Sequence, residues 1–155
     1  MWEALVAEFS DVPDAAQATR LVLRLLVAGL MGALIGYDRE RKSSPAGFRT
    51  HILVALGAAL FVIVPVQAGF SNDEISRVVQ GLVAGIGFLG AGAILKQDTS
   101  MTVRGLTTAA SIWLTAAIGI AAGVGQLLTA LIATAFGLLV LNVRHAGRDR
   151  NEGDG

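Results

Sequence analysis

The chain has 155 residues, of which 54% are apolar and only 15% charged, with 19 glycines, no cysteine and a formal net charge of zero; its mean hydropathy is +0.64. That balance excludes a water-soluble domain of ordinary composition, a disulfide framework or thiolate metal site, and a nucleic-acid binder held by bulk charge. What remains is an integral membrane protein with room for one compact bundle.

Residues 1–19 carry Glu3, Glu8, Asp11 and Asp14 and no basic residue, so they lack the positive start of a cleavable signal peptide. They read as a polar extracytoplasmic segment. A helix needs roughly 20 apolar residues to cross the hydrocarbon core, and four stretches supply them. Residues 21–37 are apolar apart from Arg24, residues 52–70 and 78–95 have no charge, and residues 105–143 have none over 39 positions. The last stretch is too long for one crossing and divides at Ala121-Ala122-Gly123-Val124-Gly125-Gln126, where glycines mark a turn. The prediction is an all-α polytopic bundle of about five transmembrane helices over residues 20–143, followed by a polar tail over 144–155.

Basic residues collect in the cytoplasmic loops of such proteins. Arg39, Arg41, Lys42, Arg49, Lys96, Arg104, Arg144, Arg148 and Arg150 fall on one side, and only Arg20 and Arg77 on the other. Nine against two places the N-terminus outside and the C-terminus in the cytoplasm of a multi-pass protein.

Leu26-Val27-Ala28-Gly29 recurs as Leu82-Val83-Ala84-Gly85, and Gly36 recurs as Gly92, at the same offset of 56. Two helical hairpins of one orientation are a reading of this pattern, as in parallel transporter repeats, and chance in glycine-rich apolar sequence is the other. Small residues also line a face of the first helix, at Gly29, Gly32 and Gly36, and of the third, at Gly81, Gly85, Gly87, Gly90 and Gly92. Close helix packing is the first reading of both faces. A third helix broken at its glycines, with carbonyls open to an ion, is the sharper one.

The polar candidates gather at the cytoplasmic end: Asp38, Arg39, Glu40, Arg49, Thr50, His51, Lys96, Arg104, Thr107 and Thr108. Carboxylates at a helix C-terminus oppose its dipole. A polar layer pairing Asp38 and Glu40 with Arg49, Lys96 and Arg104 compensates for that. The functional alternative has Asp38 and Glu40 hold Mg²⁺, which prefers carboxylate and water oxygens, although so many neighbouring cations suit a cation site poorly. Arg24, near the outer interface, is expected to snorkel or to pair with Asp73 or Glu74. His51 reads as a hydrogen-bonded interfacial residue rather than a ligand. No acid sits in the middle of a span, which weighs against proton-coupled transport. The sequence also shows no nucleophile elbow, zinc motif or phosphate loop, so it is not read as an enzyme.

Gly36-Tyr37-Asp38-Arg39-Glu40, followed by Pro45-Ala46-Gly47-Phe48-Arg49-Thr50-His51 and Leu56-Gly57-Ala58-Ala59-Leu60-Phe61, closely resembles the first block of the MgtC/SapB family. Residues 80–92 resemble its second block. Val103-Arg104-Gly105-Leu106-Thr107-Thr108-Ala109-Ala110-Ser111-Ile112-Trp113 resembles the third. Asp38 stands where the family usually carries Glu, and longer members add a cytosolic domain after the helices, so the resemblance implies a short form without it. The resemblance implies a bacterial inner-membrane protein linked to magnesium homeostasis and to adaptation to low Mg²⁺ or host stress. It further implies a regulator of other membrane proteins, with a channel or transporter for Mg²⁺ or another ion as the alternative. A dry bundle with an exposed small-residue groove favours the regulator, and an aqueous cavity lined by Asp38, Glu40 or Thr107 favours transport. The partners expected are the lipid bilayer and either further copies or other membrane proteins, without nucleic acid.

Overall fold

The computed structural model describes residues 1–3, 14–96 and 103–143. Most of the expected extracytoplasmic segment and the whole 144–155 tail, with His145, lie outside the described residues. Five long helices follow in chain order: α1 (Ala15–Arg41), α2 (Phe48–Gln67), α3 (Asn72–Gly92), α4 (Leu106–Gly123) and α5 (Leu127–Asn142). Two-residue strands β1 (Leu95–Lys96) and β2 (Val103–Arg104) pair antiparallel between α3 and α4. The bundle is all-α in the sense expected, and α1 to α4 are long and apolar enough to cross a membrane. Helix α5 has 16 residues, about 24 Å at 1.5 Å per residue against a hydrocarbon core of about 30 Å. The second half of the 105–143 stretch is thus shorter than a full span.

Local chemistry sets the helix ends. Asp14 caps α1 by accepting from the Gln17 amide at 2.6 Å, and Ser71 and Glu74 form a reciprocal capping box at the start of α3. Helix α4 starts from Gly105, whose φ of 96° lies in the left-handed region; a Cβ there would run into the Ala93 carbonyl. The α4–α5 turn falls at Val124–Gln126, as the glycines predicted, with Gly125 at φ 91°.

Helices α1, α2 and α4 form the centre. In lipid, burial supplies no hydrophobic drive between helices, so close van der Waals packing has to hold them. Small residues provide it. A Cβ on Gly32 would lie 2.6 Å from the His51 carbonyl oxygen, and one on Gly36 would lie 2.8 Å from Phe48 Cα, so α1 and α2 pack backbone to backbone. Gly119 and Gly123 of α4 meet the Ala55 and Ala59 carbonyls of α2 in the same way. Fully buried Ala28, Ile35, Ala55, Ala59, Ile118 and Ala122 fill the space between.

Helix α3 is different. It runs unbroken from Asn72 to Gly92, which removes the exposed mid-span carbonyls of the broken-helix reading. Among the described residues, a Cβ on Gly90 would meet Ala109 Cβ at ordinary distance, and one on Gly81, Gly85, Gly87 or Gly92 would meet nothing within 4 Å. The small-residue face of α1 is therefore a seam within the bundle, whereas that of α3 is open. The two halves of the suspected repeat are used unequally.

Candidate functional site

The helix ends at the basic side of the bundle bring most of the predicted polar residues together, but in pairings other than those expected. Asp38 Oδ2 accepts from Arg39 at 2.6 Å and Oδ1 from Lys42 at 2.8 Å. Arg39 is 6% exposed, and a guanidinium that deep requires a carboxylate. Glu40 Oε2 takes the Phe48 amide at 2.7 Å and so caps the first turn of α2, where Gly47 offers no side chain. The expected layer joining Asp38 and Glu40 to Arg49 and Arg104 is thus corrected. Among the described residues Asp38 is paired with Arg39 and Lys42, and Arg49 and Arg104 are exposed without an acidic partner. Partners within one turn of α1 reach Asp38 at less entropic cost than side chains on other helices. The Lys96 side chain lies outside what is described.

Lys42 does more than pair. Its ammonium also donates to the Leu141 carbonyl at 2.7 Å and to Asn142 Oδ1 at 2.9 Å. All three of its hydrogens are used, and the exposed carbonyl end of α5 is fastened to α1. Arg24 does the same for α4 at the opposite end of the bundle. It was expected to meet Asp73 or Glu74, but its Nη1 donates to the Gly123 carbonyl at 2.9 Å, while Glu74 closes its own capping box. A helix C-terminus offers orphan carbonyls and partial negative charge within reach.

His51 is fully buried, deeper than an interfacial residue, and both ring nitrogens are engaged. Nδ1 lies 2.9 Å from the Gly47 carbonyl and Nε2 3.1 Å from Ser111 Oγ. Ser111 Oγ in turn donates to the Thr108 carbonyl at 2.8 Å, and Thr108 Oγ1 meets Ser44 Oγ at 2.8 Å. A carbonyl only accepts, so Nδ1 carries a hydrogen. The three contacts around His51 and Ser111 then call for three hydrogens, one more than a neutral imidazole and one hydroxyl hold. In the neutral form Ser111 divides its hydrogen between Nε2 and Thr108. The network locks α2, the 43–47 loop and α4 together.

Thr50 and Thr107 stand apart from this network. Thr50 borders a hollow of about 340 Å³ between the 45–46 segment, α3 and α4, and Thr107 borders an apolar groove of about 620 Å³ between α4 and α5. Mg²⁺ does not fit the candidate ligands as they stand. Both Asp38 oxygens are held by cations, Glu40 is committed to an amide, and no group of three metal-binding side chains occurs among the described residues.

Sequence reasoning missed Ser44, the triple engagement of Lys42 and the α2–α4 seam. The seam had a readable signal, since Gly119 and Gly123 repeat at the spacing of Ala55 and Ala59. The bonds of Ser44 and Lys42 span 64 and 99 to 100 positions and had none.

The sequence model of the MgtC family matches residues 25–149. Protein SrpB of Synechococcus elongatus is 52% identical over 133 residues, covering 79% of this chain and 73% of its own length. Protein MgtC of Salmonella typhimurium is 48% identical over 113 residues, covering 73% of this chain and 47% of its own length. The putative magnesium transporter YhiD of Escherichia coli is 40% identical over 132 residues, 80% of this chain and 60% of its own. The chain therefore spans about half the length of the Salmonella protein. No solved structure matches.

Proposed function

We propose, from the premise that this chain belongs to the MgtC family, that it is a non-enzymatic protein of the bacterial inner membrane. In this reading it serves magnesium homeostasis and adaptation to low Mg²⁺ by regulating other membrane proteins through helix packing. The observation that carries the proposal is the open face of α3. Gly81, Gly85 and Gly92 fall within about 40° of one another on the helix at 100° per residue, and a Cβ on any of them would meet nothing within 4 Å among the described residues, with Gly81 and Gly85 bordering a hollow of about 400 Å³ beside Phe61 of α2. Phe88, on the same face, is 81% exposed. Glycine in mid-helix costs about 1 kcal/mol relative to alanine. In the bilayer, what offsets that cost is close approach of another helix backbone. The same spacing in α1 already serves that purpose inside the bundle.

The test is complementation of a strain lacking the protein, grown at low Mg²⁺, with Gly81→Leu and Gly85→Leu. A Cβ at either position meets nothing within 4 Å among the described residues, and membrane insertion and melting of each variant, measured alongside, separate loss of function from misfolding. Loss of growth is the expected result. Full complementation by both would refute the proposal.

A second reading, transport of Mg²⁺ or another ion, takes its support from the name of the Escherichia coli relative. The closed seams of α1, α2 and α4 and the occupied oxygens of Asp38 count against it.

A further inference from the structure

The outer flank of α1 and α2 carries an apolar groove of about 500 Å³, whose lining includes Leu26, Gly29, Ala33, Phe48, Ile52 and Leu56. On α1 it runs from Ala33 to Val22, eleven steps of 1.5 Å or roughly 16 Å, about half of a hydrocarbon core of about 30 Å. From Phe48 at the basic start of α2 to Val22, two residues from Arg24 at the opposite end, the groove passes the middle of the bundle. Its floor is small at Gly29 and Ala33, while Leu26, Leu30 and Phe48 at its rim are all exposed. Large rim side chains keep another helix backbone at a distance, but a single flexible hydrocarbon chain passes between them.

Arg49 brings a cation to the mouth of the groove, beside the Glu40 carboxylate on the Phe48 amide. Arg49 stands one turn before Ile52 and two before Leu56 on the same face of α2. It is exposed and has no acidic partner among the described residues. Beside it, the first turn of α2 has no side-chain cap from Gly47. Glu40 takes the Phe48 amide, which leaves the Arg49 and Thr50 amides without an intrahelical acceptor. A narrow apolar slot with a guanidinium near its mouth matches an acyl chain of a lipid whose headgroup carries a phosphate.

We infer that this groove binds one acyl chain of an anionic phospholipid, with the lipid phosphate held by Arg49. The inference does not depend on the regulatory reading. It rests on the α1–α2 flank, and the regulator acts through α3.

Native mass spectrometry of the purified full chain, titrated with phosphatidylglycerol and phosphatidylcholine of identical acyl chains, tests the inference. Wild type binds the first lipid more tightly. Arg49→Gln lowers phosphatidylglycerol affinity about fivefold and leaves phosphatidylcholine unchanged. Arg104→Gln, which removes an exposed cation at the same end of the bundle, keeps the preference. Ala33→Phe fills the slot and weakens both lipids. The inference is overturned by equal binding of the two lipids to wild type, by a preference that survives Arg49→Gln, or by one that falls as far in Arg104→Gln. It is also overturned if Ala33→Phe leaves lipid binding intact and instead dissociates an oligomer, since a second copy then fills the groove. Unchanged circular dichroism and melting of each variant separate these outcomes from misfolding.

Discussion

Arg24 Nη1 donates to the Gly123 carbonyl across 99 positions of sequence, at 2.9 Å. Through that bond one charged side chain in an otherwise apolar stretch closes the C-terminal end of α4 against α1. A Cβ on Gly125 would lie 2.7 Å from Arg24 Nη2, so the turn glycine leaves the space the guanidinium occupies. Arg24→Gln is expected to destabilise the protein by about 1–2 kcal/mol in unfolding measured in mild detergent. Gly125→Ala should be at least as costly, because φ 91° disfavours a side chain and the guanidinium has to move. Wild-type stability in both variants would show that the bond contributes nothing.

Two glycines in different helices should respond oppositely to alanine. At Gly119 a Cβ meets the Ala55 carbonyl, backbone that cannot turn aside, and the substitution should cost about 1–3 kcal/mol. At Gly87 nothing lies within 4 Å, and the better helix propensity of alanine should add up to about 1 kcal/mol. The same unfolding assay checks both. Equal effects at the two sites would mean that the α2–α4 seam is looser than described.

His51 ties three elements together from a fully buried position. Replacing it with Leu removes the ring's bonds to Ser111 and to the Gly47 carbonyl and leaves Ser111 only its bond to the Thr108 carbonyl, at an expected cost of about 1–3 kcal/mol. His51→Gln retains donors and an acceptor and should recover part of the loss. A leucine variant as stable as the glutamine variant would argue that shape alone matters at this position.

Lys42 should govern the end of α5. Lys42→Met frees the Leu141 carbonyl and Asn142, and hydrogen exchange over residues 138–143 should quicken while the α1–α2 seam stays protected. Uniform protection in both segments would place the fastening of α5 elsewhere.

Much of this architecture was legible in the sequence because bilayer thickness fixes helix length. The apolar stretches and the glycine turn at 123–125 gave the number and order of the helices. Side-chain partners were not read even where they are local: Glu74, expected near Arg24, closes a capping box with Ser71 three residues away. Asp38 and Arg24 were assigned partners on other helices by counting charges. The structure instead gives Asp38 neighbours in its own helix and gives Arg24 a backbone carbonyl, an acceptor that every residue carries and no composition reveals. The glycines posed a related difficulty. Gly32, Gly81 and Gly119 look alike in a chain, and only the placement of the helices distinguishes a closed seam from an open face.

The most direct test of the central claim is Mg²⁺ flux in liposomes containing only the purified chain under an imposed Mg²⁺ gradient, with Asp38→Asn and Glu40→Gln alongside. A regulator that acts by helix packing predicts flux no greater than in empty liposomes for all three proteins. Specific Mg²⁺ flux in the wild type that is lost in the variants would contradict the account and establish a transport path through the basic end of the bundle.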